Sequence, residues 1–206
     1  MSEGVFALVP VKDPALGKSR LAELLGAAER LALNRRLAQR TFDCCAAAFG
    51  PERTVVVTAA ESIAVEASGR RLVVVREGAP DGLNAALALA ARHAVGQGAE
   101  AFVVVPVDLV LVTPEALRRV IANLAGPPCC LLVPDRHGSG TNLLAVRPGR
   151  ADLFRFGERS LDEHRHAAAA AGLDALVHDD AALALDLDTP EDYRRWRGLD
   201  ASRPDA

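Results

Sequence analysis

Asp186 and Asp188 stand two residues apart in Ala184-Leu185-Asp186-Leu187-Asp188. Successive side chains of a strand point to opposite faces, so this alternation predicts a strand with its leucines on one side and its carboxylates on the other. Neighbouring carboxylates repel each other unless water solvates them or a cation sits between them. The pair therefore reads either as a solvated strand end or as part of a divalent-metal site. Thr189 reads as a helix N-cap, Pro190 as the first helical residue, and Glu191 and Asp192 as first-turn acids. A helix starts at once, so the strand ends where its acids would point into a cleft.

Other residues suit the same chemistry. Asp108 follows a short apolar run, Ala101 to Val105, and open α/β sheets bind ligands at the C-terminal ends of such strands. A third carboxylate on that edge would complete an all-oxygen set of the kind magnesium takes, with water and substrate phosphates filling the rest. As an isolated residue, Asp108 reads as a loop-start or Asx-turn aspartate. The stretch from Pro10 to Arg20 holds Lys12, Lys18 and Arg20, enough positive charge to face a triphosphate, or simply a solvated basic loop. Gly17-Lys18-Ser19 ends like a P-loop, but Lys12 occupies the place of its first glycine. Ser160 with Glu163 has capping-box spacing, and the helix it opens would offer free N–H groups to a phosphate or carboxylate. Thr141, in a Gly-rich turn, is a second hydroxyl candidate beside its plainer role in a turn. His164 and His166 are two apart on that helix and face different directions, so they make no metal pair. Cys44-Cys45 and Cys129-Cys130 lack metal-ligand spacing and read as buried apolar residues in a reducing cytoplasm.

The elements that must position these groups alternate. Val5 to Val9, Thr54 to Thr58, Leu72 to Val75, Ala101 to Val105 and Cys129 to Val133 read as buried strands. Helical stretches lie between them, among them Ala27 to about Ala48 and Leu83 to Val95. Gly78, Pro80, Asp81 and Gly82 break the chain before the second of these. This is the pattern of an α/β, Rossmann-like, doubly wound and mostly parallel sheet. The rhythm changes after Pro134. A short strand Leu143 to Val146, a helix from Ser160 to Gly172 and the strand with the Asp pair suggest a C-terminal insertion covering the active-site edge. No linker is evident, so residues 1–199 read as a single domain and 200–206 as a polar tail. With 206 residues and a net charge of −3, the chain has no electrostatic case for nucleic acid or an anionic membrane. Apolar runs are strand-sized and no signal peptide is visible, so a cytoplasmic location is expected.

Together the pieces resemble the 2-phospho-L-lactate guanylyltransferase (CofC/FbiD) family of the nucleotidyltransferase type A superfamily. The resemblance runs from about Val5 to Trp196. It rests on Val9-Pro10-Val11-Lys12 with Gly17-Lys18-Ser19-Arg20-Leu21, on Gly82-Leu83-Asn84, and on Pro106-Val107-Asp108-Leu109. It continues through Pro134-Asp135-Arg136 with Gly140-Thr141-Asn142, Phe156-Gly157 with Ser160 and His164, and Leu185 to Asp192. The resemblance implies transfer of GMP from GTP to a phosphorylated three-carbon acid, with pyrophosphate released, in coenzyme F-420 biosynthesis. It implies magnesium on Asp108, Asp186 and Asp188, the acid's phosphate at Thr141, Gly157 and Ser160, the triphosphate facing Lys12, Lys18 and Arg20, and Asn84 near the nucleoside. Val110 departs from the family's usual proline, which would shift the loop holding Asp108. Alternatives are a P-loop-like phosphotransferase or NTPase, a relative transferring another nucleotide, and a non-catalytic nucleotide-binding relative. Oligomeric state is left open.

Overall fold

The computed structural model describes residues 4–78 and 81–200. The expectations for Pro80 and for the tail residues 201–206 fall outside them.

Apolar β-branched runs form the sheet because both of its faces are covered, which parallel strands require. Its strands are β1 (Val5–Pro10), β2 (Thr54–Thr58), β3 (Val73–Arg76), β4 (Ala101–Val104), β5 (Cys129–Pro134), β6 (Thr141–Arg147) and β7 (Asp174–Val177). Their spatial order is β3-β2-β1-β4-β6-β5-β7. Among the described residues only β6 runs against its neighbours, pairing antiparallel with both β4 and β5. One face packs on α1 (Ala27–Phe49), α2 (Glu61–Gly69) and α4 (Pro114–Asn123), through residues such as Phe42, Ile63 and Leu117. The other packs on α3 (Leu83–Gly96) and α5 (Ser160–Ala170), through Leu87, Ala90, Leu161 and Ala168. A smaller cluster of Leu21, Leu33, Leu37, Val110, Leu185, Leu187 and Trp196 lies apart from both. It joins the loop after β1 to the final helix α6 (Pro190–Asp200).

Three expectations are corrected. The last sheet strand is β7, not the segment with the Asp pair. Residues 185–187 make one antiparallel bridge, Leu109 to Asp186, outside the sheet's named strands. Ser160 does not cap α5: Arg159 precedes the helix at φ +53°, and Ser160 Oγ instead accepts the Thr141 N–H at 2.9 Å. The last third of the chain does more than cover the edge, since β6 and β7 complete the sheet itself.

Candidate active site

The functional side chains gather at one sheet edge because of strand direction. β1, β4 and β5 all end there, and β6, being reversed, begins there. Asp108 follows the end of β4, and Thr141 is the first residue of β6. The segment 185–188 is laid against the Asp108 loop by two backbone bonds, Leu187 N–H to Asp108 O at 3.0 Å and Val110 N–H to Leu185 O at 3.3 Å. Val110 thus supplies an N–H that the proline expected at this position would lack. Its side chain is fully buried, and the loop keeps Asp108 at the cleft.

A cleft of about 230 Å³ is lined by Asp108, Asp186 and Asp188 together with Thr141, Gly157 and Ser160. A second, of about 180 Å³, is lined by Lys18, Ser19, Arg20 and Asp188, so Asp188 borders both. Lys18 sits at φ +58°, a conformation uncommon for a residue with a Cβ. Its ammonium lies 3.0 Å from Asp188 Oδ1 and 3.6 Å from Asp108 Oδ2. Burial pulls the Lys18 pKa down, but the charges of Asp108 and Asp188 outweigh it and leave the pKa above the usual lysine value. Asp186 is pushed up to about 6, first by burial and then by the negative charge of Asp108. Asp188 and Asp192 add smaller contributions in the same direction.

The remaining sequence candidates fall differently. Lys12 is exposed and lines neither cavity. Gly17-Lys18-Ser19 leads into a three-residue 3-10 turn, Ser19–Leu21, so no P-loop cradle on a helix N-terminus forms. Asn84 uses its amide on backbone: its Nδ2 donates to Phe156 O at 3.0 Å, and its Oδ1 accepts the Phe156 N–H at 2.9 Å. That clamp holds the segment carrying Gly157, whose φ of +146° suits a residue without a Cβ. Asp135 and Asn142 also line the cleft but drew no role from sequence. Asp135 Oδ1 accepts the Ser139 N–H, a turn bond whose signal was the Asp-x-x-x-Ser spacing.

Among the described residues no three His, Cys, Asp or Glu side chains form a ready-made metal cage. Magnesium does not need one. It keeps several waters and takes one or two carboxylates plus substrate phosphates. Oxygen donors on a cleft, with one carboxyl raised by burial and then by the charge of its neighbour Asp108, fit such an ion.

This sheet order, with acids and hydroxyls at its C-terminal edge, defines a nucleotidyltransferase fold. A Methanothermobacter nucleotidyl transferase superposes with a TM-score of 0.66 at 19% identity, over 96% of this chain and 98% of that one. The sequence profile described as "Guanylyl transferase CofC like" matches residues 5–195, and the chain belongs to that family. It is 36% identical to a phosphoenolpyruvate guanylyltransferase of Rubrobacter xylanophilus, over 93% of this chain and 92% of that protein. It is also 36% identical to a 3-phospho-D-glycerate guanylyltransferase of Phenylobacterium zucineum, over 90% of this chain and 86% of that one.

Proposed function

We propose that this protein transfers GMP from GTP to a phosphorylated three-carbon acid: phosphoenolpyruvate, 3-phosphoglycerate or 2-phospholactate. The observation that carries the reading is one cleft lined by four aspartates, among them Asp108, Asp186 and Asp188, with the hydroxyl residues Thr141 and Ser160 and with Gly157, next to a second lined by Lys18 and Arg20. The first has room for a small phospho-acid and the second a surface for a triphosphate. A phosphate oxygen of the acid attacks the α-phosphorus of GTP, and the bond from that phosphorus to the β-phosphate oxygen breaks as pyrophosphate leaves. The attacking phosphate is already ionised, so no general base is required. The chain's part is to hold two anions in line and to offset their charge.

In this reading Thr141, Gly157 and Ser160 hold the acid's phosphate, while Lys18 and Arg20 face the triphosphate. Asp108, Asp186 and Asp188 would hold magnesium. When bound, that ion supplies charge neutralisation and orientation for the phosphates. Asn84 holds the Phe156–Gly157 segment beside the acid's site and would lie near the nucleoside. The reaction would serve coenzyme F-420 biosynthesis in the cytoplasm.

The test is mass spectrometry of products from GTP, magnesium and each of the three acids. A GMP diester and pyrophosphate are expected with at least one. GTP hydrolysis to inorganic phosphate alone, or tight GTP binding without product, would overturn the proposal. Repeating the assay with ATP, CTP and UTP tests guanine preference.

A further inference from the structure

Thr141 Oγ1 lies 2.9 Å from His164 Nδ1, and both residues are buried. Distance alone leaves open which of them donates. The other ring nitrogen decides it. His164 Nε2 accepts the backbone N–H of Arg155 at 3.0 Å, so Nε2 carries a lone pair. A neutral imidazole has one N–H, which must then be on Nδ1. His164 therefore donates to Thr141, and the hydroxyl proton of Thr141 is left over. Among the described residues Thr141 Oγ1 has no other partner, and the residue lines the cleft. Ser160 is in the same position. Its Oγ accepts the Thr141 N–H, which leaves its own proton to donate.

We propose that His164 is a positioning residue: held in its Nδ1–H form by the Arg155 N–H, it commits the Thr141 hydroxyl to donate into the cleft, where the acceptor's phosphate binds. The inference rests on the proposed function for the identity of that ligand. Its direct effect is on binding a phosphate that offers only acceptor oxygens. The ring cannot easily turn to reverse the polarity, because the Phe156 ring meets it edge-on with centroids 4.7 Å apart. Phe156 is in turn clamped at both backbone atoms by Asn84. Burial first, and the Arg155 charge second, lower the His164 pKa to about 4, so the ring stays neutral at physiological pH and the donor direction is constant.

The experiment compares wild type with His164→Phe, His164→Gln, Thr141→Val and the double variant Thr141→Val/His164→Phe. Steady-state KM is measured separately for GTP and for phosphoenolpyruvate, and calorimetry gives the phosphoenolpyruvate Kd without turnover. His164→Phe is expected to weaken phosphoenolpyruvate binding about tenfold, with the KM for GTP changed less than about twofold. His164→Gln, which keeps an amide donor, should recover part of the loss. In the Thr141→Val background the His164 substitution should add almost nothing, because no hydroxyl remains to direct. Equal losses in both backgrounds, or matching losses for GTP and phosphoenolpyruvate, would overturn the proposal. If His164→Phe does not fold, His164→Gln measured with and without Thr141→Val decides it by the same comparison. Should wild type form no diester with any acid, the proposed function fails. The calorimetric comparison would still judge His164.

Discussion

Lys18 occupies a left-handed backbone conformation that costs a residue with a Cβ about 1–2 kcal/mol. Its ammonium meets two carboxylates that would otherwise repel each other across the cleft. Asp188 is half exposed, so the pair contributes little to folding after solvent screening. Asp188→Asn should therefore leave the melting temperature within a few degrees of wild type, while pyrophosphate release falls by about 100-fold or more. Near-normal release by the folded variant would count against any metal role for these acids. The Asp186/Asp188 spacing was legible in sequence because charge and alternation act locally. The Thr141–His164 contact was not, since those residues lie 23 positions apart on β6 and α5. Only the fold brings them within bonding distance. Lys12, in the same loop as Lys18, is exposed and lines neither cavity.

At the scale of elements, α6 does more than end the chain. Asp192 Oδ2 accepts the N–H groups of Asp188 and Thr189 and the Thr189 hydroxyl, and the Thr189 Oγ1 accepts the Asp192 N–H in return. Asp192 Oδ1 faces Arg136 Nη1 at 2.8 Å. This reciprocal cap fixes the turn that aims Asp188. Burial acts to raise the Asp192 pKa, but the bonds from Thr189 and the Asp188 N–H, with the Arg136 charge, outweigh it and depress the pKa. A depressed carboxylate stabilises the fold fully above its unfolded value and loses that contribution as pH falls through the folded value. Asp192→Ala should cost about 2 kcal/mol at pH 7, and its deficit against wild type should shrink below about pH 4, as read by urea unfolding. A deficit that stays constant through acid pH would show that the carboxylate charge is irrelevant. The Thr189 cap was legible because Thr-Pro-x-Asp has few other uses. Ser160 has equally good capping-box spacing, yet the Thr141 N–H claims its hydroxyl. β7 was missed because Asp-Ala-Leu-Val is short, lacks alternation and is exposed along its whole length. The Asp-pair segment has the alternation but finds only the Asp108 loop to bridge.

For the whole molecule, two titrating groups, the buried His164 and the partly buried Asp186, pull stability in opposite directions over the same pH range. The overall α/β reading held because apolar runs of strand length alternate with helices, whereas the reversed β6 could not be foreseen from its own residues. That reversal places Thr141, and with it His164, on the edge that holds Asp186. His164 is lowered from 6.5 to about 4, so the unfolded chain binds more protons in that window and stability rises with pH. Asp186 is raised from 3.8 to about 6, so the folded protein binds more protons and stability falls as pH rises. The windows overlap between about 4 and 6, where the two slopes should largely cancel in metal-free wild type. Each variant should expose the other group, by about 1 kcal/mol per pH unit at most. Relative to wild type, His164→Phe should lose stability as pH rises from 4 to 6, and Asp186→Asn should gain it. Urea unfolding at half-unit pH steps reads both differences. Adding magnesium favours the ionised form of Asp186, so it should stabilise wild type more at pH 7.5 than at pH 5. It should do little for Asp186→Asn at either pH. Equal magnesium effects in the two proteins would remove Asp186 from the proposed metal set, while the opposed pH slopes would still stand or fall on their own.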